Sequence, residues 1–197
     1  MARKQRDLVA GGVYHVWARG AQRMPIFESD EDRRQYLLLW GQSATELGWR
    51  CLAYCLMDNH VHHLVETPKP DLSTGVRWAH RDYARYFNAR RATTGHLFET
   101  RYGSNRAESP GDLMYLACYV ALNPVRAGLC VRPEQYVWSS HAATLGRRSA
   151  KAPLWLDSSR LLTHFEDTSG SQVRRYAEIV EAVRALGVAG FDPSPAG

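Results

Sequence analysis

The chain has 197 residues, 45% of them hydrophobic and 23% charged, with a formal net charge of +5 and a pI near 9.2. Such ordinary globular composition excludes wholesale disorder, and no run approaches the eighteen or so apolar residues that span a bilayer. The polar stretch from Met1 to Ala10 lacks the apolar centre of a signal peptide, so the expected location is the cytoplasm, with no membrane partner.

Val13-Tyr14-His15-Val16-Trp17 follows a Gly-Gly pair and is dense in β-branched and aromatic residues, which predicts a first strand. Ser29-Asp30 offers a helix cap, and Tyr36, Leu37, Leu39 and Trp40 keep helical spacing toward Gly48. Trp49 to Met57 reads as a second strand, Asp58-Asn59 as a turn and His60 to Thr67 as a third strand, the two strands forming a hairpin. Thr67-Pro68-Lys69-Pro70 then breaks the chain. A helix from about Ser73 to Arg91 follows, with Val76, Ala79, Tyr83, Tyr86 and Phe87 on its apolar stripe. Leu97 to Ala107 is expected as a fourth strand. Ser109-Pro110 starts another helix, with Asp112 in its first turn, and Pro124 is expected to stop it near Asn123.

The order β-α-β-β-α-β-α predicts an α+β fold, a mostly antiparallel, ferredoxin-like sheet with helices packed mainly on one face. Residues 1–150 read as one domain and 151–197 as an extension of one helix, through Val173, Tyr176, Ala177 and Val180, and a loose tail from Phe191 to Gly197. Cys51, Cys55, Cys118 and Cys130 form neither a CxxC zinc pattern nor a disulfide framework, so buried free thiols are expected.

Charge is concentrated rather than spread. From Ser73 to Arg106 seven arginines face only Asp82 and Glu99, a net +5 in one segment, as a polyanion partner requires. Arg77, Arg81 and Arg85 are four apart and share one helix face, which is also the pattern of a merely solvated face.

Two groups of residues carry chemistry. In Asn59-His60-Val61-His62-His63 strand alternation turns His60 and His62 to one side and His63 to the other. Two imidazoles about 7 Å apart along a strand can converge on one metal ion, although half-buried strand histidines are also often only hydrogen bonded. Tyr115, Tyr119 and Asn123 lie at i, i+4 and i+8 of one helical face. A tyrosine hydroxyl becomes a useful nucleophile when a metal polarises its electrophile, and an asparagine one turn on offers a neutral oxygen ligand. Core packing is the competing role for either tyrosine.

Four blocks together resemble the REP-associated tyrosine transposases, a branch of the single-tyrosine HUH endonucleases. They are Tyr14-His15-Val16 with Arg19-Gly20 and Pro25-Ile26-Phe27; Ala53 through His62; Gly95-His96-Leu97-Phe98 with Arg101-Tyr102; and Tyr119 through Gly128 followed by Trp138-Ser139-Ser140. The resemblance implies that Tyr119 is the nucleophile, that His60, His62 and Asn123 hold a divalent ion such as Mg2+ or Mn2+, and that single-stranded DNA and DNA hairpins are the partners. It implies cleavage at repeated palindromes through a 5′-phosphotyrosine, in the bacterial cytoplasm or nucleoid, by a monomer, with a dimer as the alternative. Arg77, Arg81, Arg85, Arg101 and Tyr102 are then the expected DNA contacts. Asp58 stands where the family usually has proline, and Ala121 where histidine is common. The rival function is that of a catalytically inactive hairpin-binding protein derived from such an enzyme.

Overall fold

The computed structural model describes residues 7–147, 152–165 and 171–187, so the tail expected from Phe191 to Gly197 lies outside the described residues. Strand β1 (Gly12–Arg19) leads into helix α1 (Asp30–Glu46), followed by strands β2 (Arg50–Met57) and β3 (His60–Thr67) as a hairpin. Helix α2 (Leu72–Arg91), strand β4 (Gly103–Arg106) and helix α3 (Pro110–Arg126) come next, and then helices α4 (His141–Thr144), α5 (Ser158–Leu162) and α6 (Gln172–Ala185). Both α1 and α3 start on capping boxes, Ser29 with Asp32 and Ser109 with Asp112, which satisfy the first backbone N–H groups.

The sheet order is β2-β3-β1-β4 and every pair is antiparallel. Two β-α-β units, β1-α1-β2 and β3-α2-β4, therefore interleave, the central strand of each lying between the two strands of the other. They run in opposite directions and step across the sheet in opposite senses, so crossovers of one hand put α1 and α2 on the same face.

The fold is α+β and antiparallel, as expected, but the helices cover both faces rather than mainly one. Tyr14, Val16, Val61 and Val65 pack with Tyr36, Trp40, Val76 and Tyr83 in one core. Leu52, Ala53, Cys55 and Leu64 pack with Leu116, Val120 and Tyr176 in a second. The reason is visible in β2, where every residue from Cys51 to Met57 is buried, because a strand apolar on both sides needs a cover on both. A register shift between Cys51 and Ala53 turns Leu52 and Ala53 both toward the second core.

Three boundaries differ from expectation. β4 covers Gly103–Arg106 only; ahead of it Leu97–Glu99 is strapped to the end of β1, with Ala21 N–H donating to Leu97 C=O (2.9 Å) and Glu99 N–H to Arg19 C=O (2.9 Å). α3 runs through Pro124 to Arg126. This proline falls in the last turn, where its missing N–H removes a single bond, and the carbonyls of Asn123 and Pro124 still accept from Ala127 (3.0 Å) and Leu129 (2.9 Å). Finally, residue 150 does not separate two cores. The later residues supply α5 as well as α6, and their Leu161, Phe165, Tyr176 and Val180 complete the second core. Cys51, Cys55 and Cys118 are buried free thiols, whereas Cys130 is partly exposed.

Candidate active site

β3 presents His60 and His62 to the face covered by α3 and turns His63 into the other core. The Asn59 amide is set from both ends: its Nδ2 donates to Arg23 C=O (3.0 Å), which leaves Oδ1 to accept from His60 Nδ1 (2.7 Å). His60 therefore donates from Nδ1, as a histidine that ligates a metal through Nε2 does. Arg23, whose carbonyl anchors this amide, holds φ at +60° in the left-handed region, beside Gln22 at +53°.

His62 is 2% exposed. Its Nδ1 lies 2.9 Å from His15 Nε2, and the two rings stack with centroids 5.1 Å apart at 12°. Its Nε2 is buried and makes no hydrogen bond among the described residues. Burial pushes the His62 pKa well below the ordinary imidazole range, and the neighbouring His15, His60, His63 and then Arg19 push it the same way. The ring is therefore neutral, as a ligand must be.

α3 brings Tyr119 and Asn123 over this pair. The Tyr119 ring stands edge-on to His62 (centroids 5.5 Å, 85°) and to His15 (5.4 Å, 74°), and the Arg126 guanidinium lies 5.1 Å from its centroid. Asn123 Nδ2 donates to Tyr119 C=O at 2.9 Å, so its Oδ1 is the atom left for a cation. Tyr115, one turn earlier, lines with Tyr119, Leu122, Arg126 and Arg184 a cleft of about 430 Å³ between α3 and α6. Among the described residues no cluster of three or more His, Cys, Asp or Glu side chains is placed to hold a metal. The candidate donors are instead the imidazoles of His60 and His62 and the amide oxygen of Asn123, with Nε2 of His62 buried and without a hydrogen bond among the described residues.

The expected DNA contacts lie elsewhere. Arg77, Arg81 and Arg101 border a cleft of about 620 Å³ between α2 and residues 95–102, on the α1–α2 side of the sheet. Arg77, Arg85 and Arg101 are exposed and make no ion pair among the described residues, while Arg81 pairs with Asp82 (2.8 Å). Part of the charge concentrated in this segment is structural. Arg90 pairs with Glu28 and the buried Asp32, Arg91 with Glu28, and Arg106 with Asp7 and Glu108. Tyr102 is 6% exposed in the first core, with its hydroxyl 2.7 Å from Ser73 Oγ, so its face is not offered to a base. Phe98, stacked on His80 at 4.4 Å, lines the same cleft.

Sequence reasoning gave no site role to His15 or Asn59. Alternation along β1 marks His15 only once β1 is known to pair with β3, and Asn59 reads as a turn residue until its amide is seen between Arg23 and His60. Asp58 is tied to Arg33, a largely buried guanidinium that also lies over Phe27 and Trp138.

Interleaved β-α-β units thus set two strand histidines against a helix-borne tyrosine in an α+β fold. The chain belongs to the IS200-like transposases: the family described as Transposase IS200 like matches residues 9–121, which include His60, His62 and Tyr119. The fold is also that of a REP-associated tyrosine transposase solved bound to a REP hairpin, with a TM-score of 0.63 and 15% identity over 80% of this chain and 94% of that one. A candidate transposase from Deinococcus radiodurans R1 is 20% identical over 65% of this chain and 92% of its own, at a TM-score of 0.42 too low to carry any argument. No curated protein matches the chain significantly.

Proposed function

We propose that the chain is a metal-dependent endonuclease and strand transferase for single-stranded DNA at repeated palindromic hairpins, working through a covalent 5′-phosphotyrosine. The observation that carries this reading is the packing of Tyr119 against His62, 5.5 Å between ring centroids, with Asn123 one turn on. Tyr119 Oη gives up its proton and attacks the scissile phosphorus in line; a P–O bond to tyrosine forms, the bond to the 3′ oxygen breaks, and that oxygen takes up a proton and leaves as a free hydroxyl. His60, His62 and Asn123 would hold the Mg2+ or Mn2+ ion. When bound, the ion supplies positive charge to the nonbridging oxygens as charge builds on them. His60 is oriented for this by Asn59, and His62 is kept neutral by burial.

Hairpin DNA as the ligand is supported by the solved relative, which was bound to a REP hairpin. Arg77, Arg81, Arg85 and Arg101 would follow the backbone of the unpaired strand without reading bases. The proposed active species is a monomer, with a dimer as the alternative. The test is to incubate the protein and a Mn2+ or Mg2+ salt with a hairpin bearing a single-stranded flank, and to look for an SDS-stable adduct. The wild type should form one and Tyr119→Phe should not, while binding the hairpin nearly as well, because only the nucleophilic oxygen is lost. Hairpin binding without any adduct would favour a silent site on a DNA-binding protein, and an adduct lost in Tyr115→Phe instead would name the wrong tyrosine here.

A further inference from the structure

β1 carries a second pair of side chains on the face that holds His15 and His62, and the chemistry above gives them no task. Alternation puts His15, Trp17 and Arg19 on that face, and the register sets Trp17 opposite His62 and Arg19 opposite His60. α3 packs on β2 and β3, and both Trp17 and Arg19 are partly exposed beside it.

Each is prepared for a ligand in a different way. The Trp17 indole lies flat across the neighbouring strand: a Cβ on its β4 partner Gly103 would come within 2.2 Å of indole Cε2. It stacks on His15 at 5.0 Å and 23°, and its N–H makes no hydrogen bond among the described residues. The ring is thus clamped from below and from one side while part of it meets solvent. The Arg19 guanidinium makes neither an ion pair nor a side-chain hydrogen bond among the described residues. Its charge is nonetheless felt at His62, after burial and the neighbouring histidines. A forked cation suits a phosphate, and a fixed aromatic face suits any base, because every base has a π face.

We infer that Trp17 and Arg19 form the subsite for the nucleotide adjoining the phosphate at His60 and His62, Arg19 taking a backbone phosphate and Trp17 stacking the base. The inference rests on the endonuclease reading but is tested through binding alone. In a Tyr119→Phe background, which prevents cleavage, an abasic nucleotide is moved one position at a time along the flank of the hairpin. One position next to the cut should weaken binding by roughly 5- to 100-fold, as expected for loss of one base–aromatic stack. Trp17→Ala should weaken binding of intact DNA by a similar factor and abolish the penalty at that one position. Gly103→Ala, which displaces the indole without removing it, should do the same, and Trp17→Phe should keep the penalty; these two carry the test if Trp17→Ala does not fold. Arg19→Ala should lower the salt dependence of binding by about 0.7, one phosphate's worth on a single strand, and Arg19→Lys should not. Penalties from Trp17→Ala and the abasic site that simply add at every position, or an unchanged salt slope in Arg19→Ala, would overturn the subsite. A missing adduct in the wild type counts against the endonuclease reading alone, since the scan reads affinity and not cleavage.

Discussion

His62 and His63 are sequence neighbours with the same side chain and opposite tasks. His62 meets His15 and Tyr119 on the α3 face; His63 is stacked on Trp40 at 3.6 Å and 11°, with Tyr36 Oη 3.2 Å from its Nε2. His60→Ala and His62→Ala should therefore abolish adduct formation. His63→Ala should keep it under conditions where the protein is folded, and lose stability instead, by roughly 2–4 kcal/mol from the lost ring packing and hydrogen bond. Denaturant unfolding and adduct yield, measured on the same three proteins, separate the two effects. Equal loss of adduct from all three folded variants would show that the alternation along β3 does not sort their roles. Asn59 acts one residue further out, since its amide oxygen accepts from His60 Nδ1 and so fixes which way that ring is turned.

Among the elements, the contact of α4 with α6 is one that responds to acid. His141 is buried, and its Nδ1 lies 2.9 Å from the Tyr176 hydroxyl. Burial lowers its pKa to about 4, against an opposing pull from Glu134. His80 is lowered to about 3, also by burial, and His62 and His63 are pushed well below the ordinary range in the same way, so all of them add to the same acid limb. The unfolded chain binds these protons near the ordinary imidazole pKa of about 6.5, the folded chain only near the lowered values. Stability is then full above about pH 6.5 and falls as pH drops, by at most about 1.4 kcal/mol per pH unit for each histidine. The melting temperature should decline between pH 7 and 5, and His141→Gln should make that limb shallower. A limb of unchanged steepness would mean that His141 protonates normally in the fold.

α2 makes a different prediction, about salt. Arg77, Arg81 and Arg85 stay exposed along it. Replacing all three with alanine should flatten the salt dependence of hairpin binding by about two units if each meets a phosphate of single-stranded DNA. The wild type should also prefer a hairpin with a single-stranded flank to blunt duplex of the same length. A wild-type slope in the triple variant, or equal binding of blunt duplex, would remove DNA from this helix.

At the scale of the whole molecule, the two cores are unequal in where they come from. The first is built almost wholly from residues before 140, whereas Leu161, Phe165, Tyr176 and Val180 come from the last quarter of the chain and close the second, which also carries Tyr119. The later segment is pinned to the sheet through Asp157 N–H to Cys51 C=O (2.8 Å) and Arg160 to Glu66 (2.8 Å). Truncation after residue 150 should therefore not leave an independent domain. Each of these large side chains removed from a core costs a few kcal/mol, against a total stability of about 5–15 kcal/mol. A truncated protein that unfolds cooperatively at the full-length midpoint would contradict this.

Local chemistry was legible in the residues themselves. The order of strands and helices, the capped starts of α1 and α3, the opposite facing of His62 and His63, and the shared face of Tyr119 and Asn123 all follow from periodicities of two and 3.6 that a linear sequence displays. What it does not display is which strand lies beside which. Only the order β2-β3-β1-β4 places His15 against His62 and Trp17 beside Gly103. Two-sided burial of β2 sends α3 to the face opposite α2, so the arginines of α2 and the paired histidines of β3 lie on opposite sides of the sheet. The same is true of the arginines that prove structural: Arg90 and Arg91 meet Glu28 and Asp32 across some sixty positions of sequence. Partners so distant in the chain are chosen by the packing of whole elements, and no local pattern records that choice.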